Sequence, residues 1–123
     1  MIIGIGCDII EIERIKKAIA REAFMKKVFS EQEITYCQGR GKQQYASFAA
    51  RFAAKEAAVK ALGTGFRGGS LTEIEVCNDE LGKPIIALSG FYGELAEKKG
   101  VKNCQLSLSH CKETAVAYVV MED

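Results

Sequence analysis

The chain has one proline, one histidine and no tryptophan in 123 residues, and its 17 Lys+Arg are nearly cancelled by 16 Asp+Glu. A single proline leaves no proline-rich linker, and 48% hydrophobic with 27% charged residues is a globular composition, not that of a disordered tail. A formal net charge of +1 gives no whole-molecule field for nucleic acid or an acidic membrane, so any basic surface is local. The opening Met1-Ile2-Ile3-Gly4-Ile5-Gly6 has neither a basic segment nor a long apolar run and meets a charge at Asp8, so neither a signal peptide nor a membrane span is expected. No Cys-x-x-Cys pair occurs among Cys7, Cys37, Cys77, Cys104 and Cys111. Their odd number and irregular spacing predict reduced thiols used as small apolar filler in the cytoplasm, not a disulfide framework or zinc knuckle.

What the chain does contain fits a single domain over residues 1–123. Residues 2 to 10 read as a strand with Ile3, Ile5, Cys7 and Ile9 on one face. Gly4, Gly6 and Asp8 fall on the other, where the glycines let a neighbour approach closely. Ile12, Ile15 and Ile19 form the apolar stripe of an amphipathic helix over 11–22, with Arg14, Lys16, Lys17 and Arg21 beside or opposite it. Ser30 with Glu33 is a capping box that opens a short helix stopping at Gly39. Residues 46–62 have strong helix propensity and end at Gly63; this central helix is apolar nearly all round apart from Arg51, Lys55, Glu56 and Lys60, which predicts burial. Residues 71–77 and 84–88 read as a hairpin, 91–99 as a helix, and 105–109 with 115–121 as two further strands. The class is α+β, a small antiparallel sheet packed against a long central helix.

Four features could carry chemistry, and each has a plainer reading. Glu56 and Lys60 at i,i+4 are either an ordinary helix-surface ion pair or part of an anion and metal site. Asp8 either caps the following helix, since Asp8-Ile9-Ile10-Glu11 has the D-x-x-E form, or adds the second carboxylate that a hard cation such as Mg²⁺ requires. Gly63-Thr64-Gly65-Phe66-Arg67-Gly68-Gly69 lacks the Gly-Lys-Ser/Thr of a P-loop, which excludes a Walker site and leaves a helix C-cap with a glycine-rich loop. His110 alone cannot build a zinc site with such scattered cysteines, and a hydrogen-bonded structural role is its plainer reading.

Taken together, four segments resemble one family. They are Gly4-Ile-Gly-Cys-Asp8-Ile9 with Arg14-Ile15, then Arg51-Phe-Ala-Ala-Lys-Glu-Ala57 running to Lys60-Ala-Leu-Gly-Thr-Gly65, then Gly82-Lys-Pro84, and last Leu106-Ser-Leu-Ser-His110. The chain resembles the holo-acyl-carrier-protein synthases, the small class of 4′-phosphopantetheinyl transferases, over nearly its whole length. The resemblance implies the 4′-phosphopantetheinyl transferase-like fold and transfer of the phosphopantetheine arm of coenzyme A to a serine of an acyl carrier protein, releasing adenosine 3′,5′-bisphosphate. It implies Mg²⁺ or Mn²⁺ held at Asp8 and Glu56, with Glu56 binding the metal or orienting a water that takes the serine proton, and Lys60 facing the pyrophosphate. Arg51, Gly63, Thr64, Gly65, Lys83, Pro84 and His110 are implied along coenzyme A, and a homotrimer with its active sites between subunits. Acyl carrier proteins are acidic, and the run 11–27 carries six bases against three acids, so Arg14, Lys17 and Arg21 are the expected docking face.

Two other classes compete. Two carboxylates and a lysine would also serve metal-dependent phosphodiester or pyrophosphate hydrolysis. A non-catalytic nucleotide-binding or nucleic-acid-binding module would use the basic helix and glycine loop without turnover, but near-neutral charge and the lack of aromatic stacking motifs count against it.

Overall fold

A computed structural model describes residues 1–64 and 68–123. In chain order the elements are β1 (Ile2–Glu11), α1 (Ile12–Ile19), α2 (Glu22–Val28), α3 (Glu31–Gln38), α4 (Gln44–Leu62), β2 (Ile74–Asn78), β3 (Pro84–Leu88), α5 (Gly90–Lys98), β4 (Asn103–His110) and β5 (Thr114–Glu122). Antiparallel pairing makes a three-stranded sheet in the order β1-β5-β4 and a separate β2–β3 hairpin. The α+β expectation of a small antiparallel sheet against a long helix is met.

The glycines of β1 decide how closely α4 lies on the sheet. A Cβ on Gly4 or Gly6 would overlap the backbone carbonyl oxygens of Ala61 and Ala57, so strand and helix touch backbone to backbone. The alanines of α4 permit this contact on nearly every side: Ala49, Ala53, Ala54, Ala57 and Ala58 are all fully buried. Phe48 extends the same core to Phe29, edge to face with ring centroids 5.0 Å apart. α4 ends where Gly63 takes φ 77°, a left-handed C-cap that glycine adopts without strain.

The amphipathic helix expected over 11–22 is two helices. α1 stops at Ile19, and Arg21 takes an extended conformation, φ −89° and ψ 113°, as the N-cap of α2. The turn has a tertiary cause, because it lays Phe24 near Phe52 and Phe29 against Phe48 on α4. The capping box is present, with Glu33 N donating to Ser30 Oγ and Ser30 N to Glu33 Oε1, and α3 ends at Gln38 before Gly39. Residues 71–73, expected in a strand, form a 3₁₀ turn capped by Ser70.

Two charges of α4 point inward. Lys55 is fully buried and donates to Glu33 Oε1 at 2.8 Å, to the Leu71 carbonyl at 2.9 Å and to the Ile74 carbonyl at 2.6 Å. Glu33 Oε2 accepts from Val76 N at 2.9 Å, so one polar knot joins α3, α4, the 3₁₀ turn and β2. The other face of the sheet is open. Ile5 and Ile9 of β1 are each 67% exposed and Tyr118 of β5 is 58% exposed, an apolar surface left bare in the single chain.

All five cysteines are free. Cys37 fits the apolar-filler reading, and burial pushes its thiol up to about 12. Cys7 and Cys111 do not fit it, since both lie exposed at the surface. Among the described residues no helix is long and apolar enough to cross a membrane.

Candidate active site

Asp8 stands in β1 and does not cap α1; the N-cap is Glu11, which makes no side-chain cap bond. The N-cap reading of Asp8 therefore fails, because the strand runs three residues past it before the helix begins. Its side chain shares the α4 side of the sheet with Gly4 and Gly6, whose missing side chains leave room for α4 to bring up Lys60 and Glu56. Lys60 Nζ donates to Asp8 Oδ1 at 3.0 Å and to the Cys7 carbonyl at 3.1 Å. Lys60 thus pairs across to the strand, and the ordinary i,i+4 bridge to Glu56 is not among the ion pairs of the described residues.

The other oxygen of Asp8 decides what the site can hold. Asp8 Oδ2 is buried and meets no hydrogen-bond donor. Glu56 lies beside it, and its carboxyl is pushed up to about 7, by burial first and then by the neighbouring Asp8 carboxylate, against the opposing pull of Lys60 and Arg14. A carboxyl whose charge its neighbour disfavours is relieved by a proton or by a cation, and hard oxygen donors suit Mg²⁺ or Mn²⁺. Among the described residues no cluster of three or more His, Cys, Asp or Glu forms, so further ligands would come from phosphate oxygens and water. Lys60 is held protonated, its pKa raised by the hydrogen bond and charge of Asp8.

The acid pair opens into a cleft of about 400 Å³. Arg14 and Arg21 line it, with an apolar wall of Ile15, Ala18, Phe24 and Phe52. The sequence-expected docking bases and the candidate metal ligands therefore share one cavity, except Lys17, which does not line it.

A model of the 4′-phosphopantetheinyl transferase superfamily matches residues 4–119. The chain belongs to that superfamily. It is 52% identical to the holo-[acyl-carrier-protein] synthase of Clostridium acetobutylicum, over 99% of this chain and 98% of that protein. The crystal structure of the holo-[acyl-carrier-protein] synthase from Neisseria meningitidis superposes with a TM-score of 0.90 at 36% identity, covering 100% of both chains. That of the holo-(acyl-carrier-protein) synthase from Bacillus anthracis, in complex with CoA (3′,5′-ADP), gives 0.81 at 43% identity, over 98% of this chain and 96% of that one.

Of the other residues expected in a phosphopantetheinyl transferase site, Arg51, Lys83, Pro84 and His110 do not line the cleft of Asp8 and Glu56. His110, at the end of β4, lines a second cleft of about 490 Å³ with Lys16, Lys42, Tyr45 and Lys112. Tyr45 and Glu56 are eleven residues apart on α4, about 16 Å along the axis at 1.5 Å per residue. Lys83 and Pro84 lie at the β2–β3 turn, and neither lines either cleft. Gly63 and Thr64 leave the C-terminal end of α4, one turn beyond Lys60; Gly65 lies outside the described residues. Arg51, expected beside coenzyme A, is 4% exposed, donates from Nη2 to Asn78 Oδ1 at 2.7 Å and lies 4.2 Å from the centre of the Tyr36 ring.

Three features of the site region escaped the sequence reading: the Lys55–Glu33 knot, Asn78, and the Phe24–Phe52 wall. Arg51 and Lys55, one turn apart on a helix of alanines, were the available signal for the first two. The wall follows from the break after Ile19, which local propensity does not show.

Proposed function

We propose that this chain is a holo-acyl-carrier-protein synthase, moving the 4′-phosphopantetheine arm of coenzyme A to a serine hydroxyl of an apo acyl carrier protein. The observation that carries this reading is the buried, donorless Asp8 Oδ2 beside Glu56, with Lys60 on the other oxygen of Asp8. Family membership narrows what such a site acts on.

In the reaction the serine oxygen bonds to the β-phosphorus, the bond from that phosphorus to the bridging oxygen breaks, and adenosine 3′,5′-bisphosphate leaves. Asp8 and Glu56 would hold Mg²⁺, or Mn²⁺, which supplies charge neutralisation at the pyrophosphate when bound. Glu56 orients a water that accepts the serine proton. Lys60, exposed at its head and protonated, donates to the phosphate oxygen on which charge builds as the bond breaks. Gly63, Thr64 and Gly65 let the backbone approach coenzyme A, and Lys83, Pro84 and His110 lie along its nucleotide. Arg14, Lys17 and Arg21 dock the acidic carrier, Arg14 and Arg21 at the mouth of the acid pair's own cleft.

Two observations support a homotrimer with its active sites between subunits. The outer sheet face bares Ile5, Ile9 and Tyr118, and the residues expected to line coenzyme A are spread over separate parts of one chain. Free thiols and the absence of a membrane-crossing helix among the described residues accord with a cytoplasmic enzyme.

The test is the intact mass of an apo acyl carrier protein after incubation with this protein, Mg²⁺ and coenzyme A. A gain of one phosphopantetheine arm, lost with EDTA, is expected. Coenzyme A cleaved with the carrier unmodified would select hydrolysis, and binding without turnover would select a nucleotide-binding module.

A further inference from the structure

Arg51 and Lys55 give α4 a second polar side, buried and apart from Glu56 and Lys60, and both side chains reach toward the β2–β3 hairpin. Lys55 and Glu33 hold the start of β2 through the Ile74 carbonyl and the Val76 amide. Arg51 holds its end. The amide of Asn78 has one accepting and one donating end, and Arg51 Nη2 takes the accepting oxygen at 2.7 Å. The donating nitrogen is thereby aimed at the Gly82 carbonyl, 3.0 Å away. Gly82 precedes Lys83 and takes φ +86°, a left-handed conformation in which a side chain would be strained. Asp79 closes the turn from within: its Oδ1 accepts from the amides of Leu81 at 2.9 Å and Lys83 at 2.8 Å, and its own amide donates to the Lys83 carbonyl at 2.8 Å.

The guanidinium is no ordinary structural ion pair. Among the described residues no carboxylate bridges it, and its Nε meets no acceptor. Its engagements are the Asn78 oxygen and the face of Tyr36 on α3. Burying an arginine without a counter-charge is costly, and what it achieves here is to orient one amide and, through it, one turn.

We propose that Arg51 is a positioning residue for coenzyme A, acting through Asn78 to hold the Asp79–Lys83 turn on α4 and so to set where Lys83 meets the nucleotide. This rests on the transferase reading above. Arg51 touches no reacting atom; the turn does the binding.

The test is a set of three variants, Arg51→Met, Asn78→Ala and the double, in steady-state kinetics with coenzyme A and apo carrier protein. Each single variant raises KM for coenzyme A roughly tenfold, with kcat and KM for the carrier within about twofold, and the double is no worse than the worse single variant, because both changes cut one chain of contacts. Losses that multiply in the double would overturn the proposal, since Arg51 would then reach coenzyme A by its own route. Unchanged KM for coenzyme A, or parallel losses in all constants, would overturn it as well. If Arg51→Met does not fold, Asn78→Ala decides alone, its side chain being half-buried at the hairpin end. A wild-type protein that adds no arm to the carrier would instead sink the transferase reading, a failure visible before any variant is compared.

Discussion

In the proposed mechanism Asp8, Glu56 and Lys60 divide the work at the site, and each can be removed separately. Asp8→Ala and Glu56→Ala are expected to abolish arm transfer at ordinary Mg²⁺ while leaving far-UV circular dichroism unchanged, because each takes away an oxygen ligand; near-normal turnover in either would refute the two-carboxylate site. Lys60→Ala should lower kcat by roughly a hundredfold, with a smaller effect on coenzyme A affinity by calorimetry. The pH dependence follows from Glu56, whose carboxyl titrates near 7 in the fold against an ordinary 4.5. The folded chain therefore binds that proton more tightly than the unfolded one. Its contribution to stability is complete below about 4.5 and is lost as pH rises through about 7. In EDTA the melting temperature of the wild type should fall relative to Glu56→Gln across that window, and saturating Mg²⁺ should remove the difference. Parallel melting curves for the two proteins would contradict the shift.

At the scale of elements, α4 joins the fold to the chemistry. Its alanine face seats β1, one edge presents Glu56 and Lys60, and another buries Arg51 and Lys55. Burying Lys55 against Glu33 is tolerable because the ammonium has three acceptors and the carboxylate accepts from Ser30, Val76 and Lys55. Lys55→Met, which strips Glu33 of its counter-charge, should cost about 3 kcal/mol or more by urea denaturation. Lys55→Met with Glu33→Gln should recover much of that loss; a double variant as unstable as the single would show that the ion pair itself, not the stranded charge, holds the hairpin. α1 and α2 carry the proposed docking face, with Arg14 of α1 and Arg21 at the start of α2 both lining the cleft. Reversing both to Glu should raise KM for the carrier strongly and leave KM for coenzyme A nearly unchanged. Carrier kinetics indifferent to that reversal would mean the bases are a solvated face.

For the whole molecule, the bare sheet face is the feature a single chain does not explain. Ile5→Asp puts a charge in the middle of it without touching α4, since Ile5 points away from the helix that Gly4 and Gly6 contact. If the proposed trimer forms through this face, the variant should fold, sediment as a monomer where the wild type sediments as a trimer, and lose transfer activity together with assembly. A monomeric variant with full activity would show that the site is complete within one chain, although His110 and Glu56 line separate clefts.

Much of this was legible in local pattern. The Ser30–Glu33 box, the Gly63 stop and the alanine run of α4 are short-range signals, and hydrogen bonds within a few residues decide them. The alternation of Gly4, Gly6 and Asp8 put one carboxylate on the strand face open to close approach, and the spacing of Glu56 and Lys60 marked the helix that would meet it. The helix break after Ile19 was not legible, because the phenylalanines that require it pack on residues 48 and 52, far along the chain. Nor was the partner of each charge: spacing allowed a Glu56–Lys60 bridge, and the fold chose Lys60–Asp8, fifty-two residues apart in sequence. It likewise turned Lys55 inward to Glu33 and Arg51 to Asn78. Propensity and periodicity depend on neighbours along the chain and so determined most of the elements, while the acid pair was singled out by the family resemblance of the motifs around Asp8 and Glu56. Charge pairing depends on which surfaces pack together, and only the tertiary structure decided that.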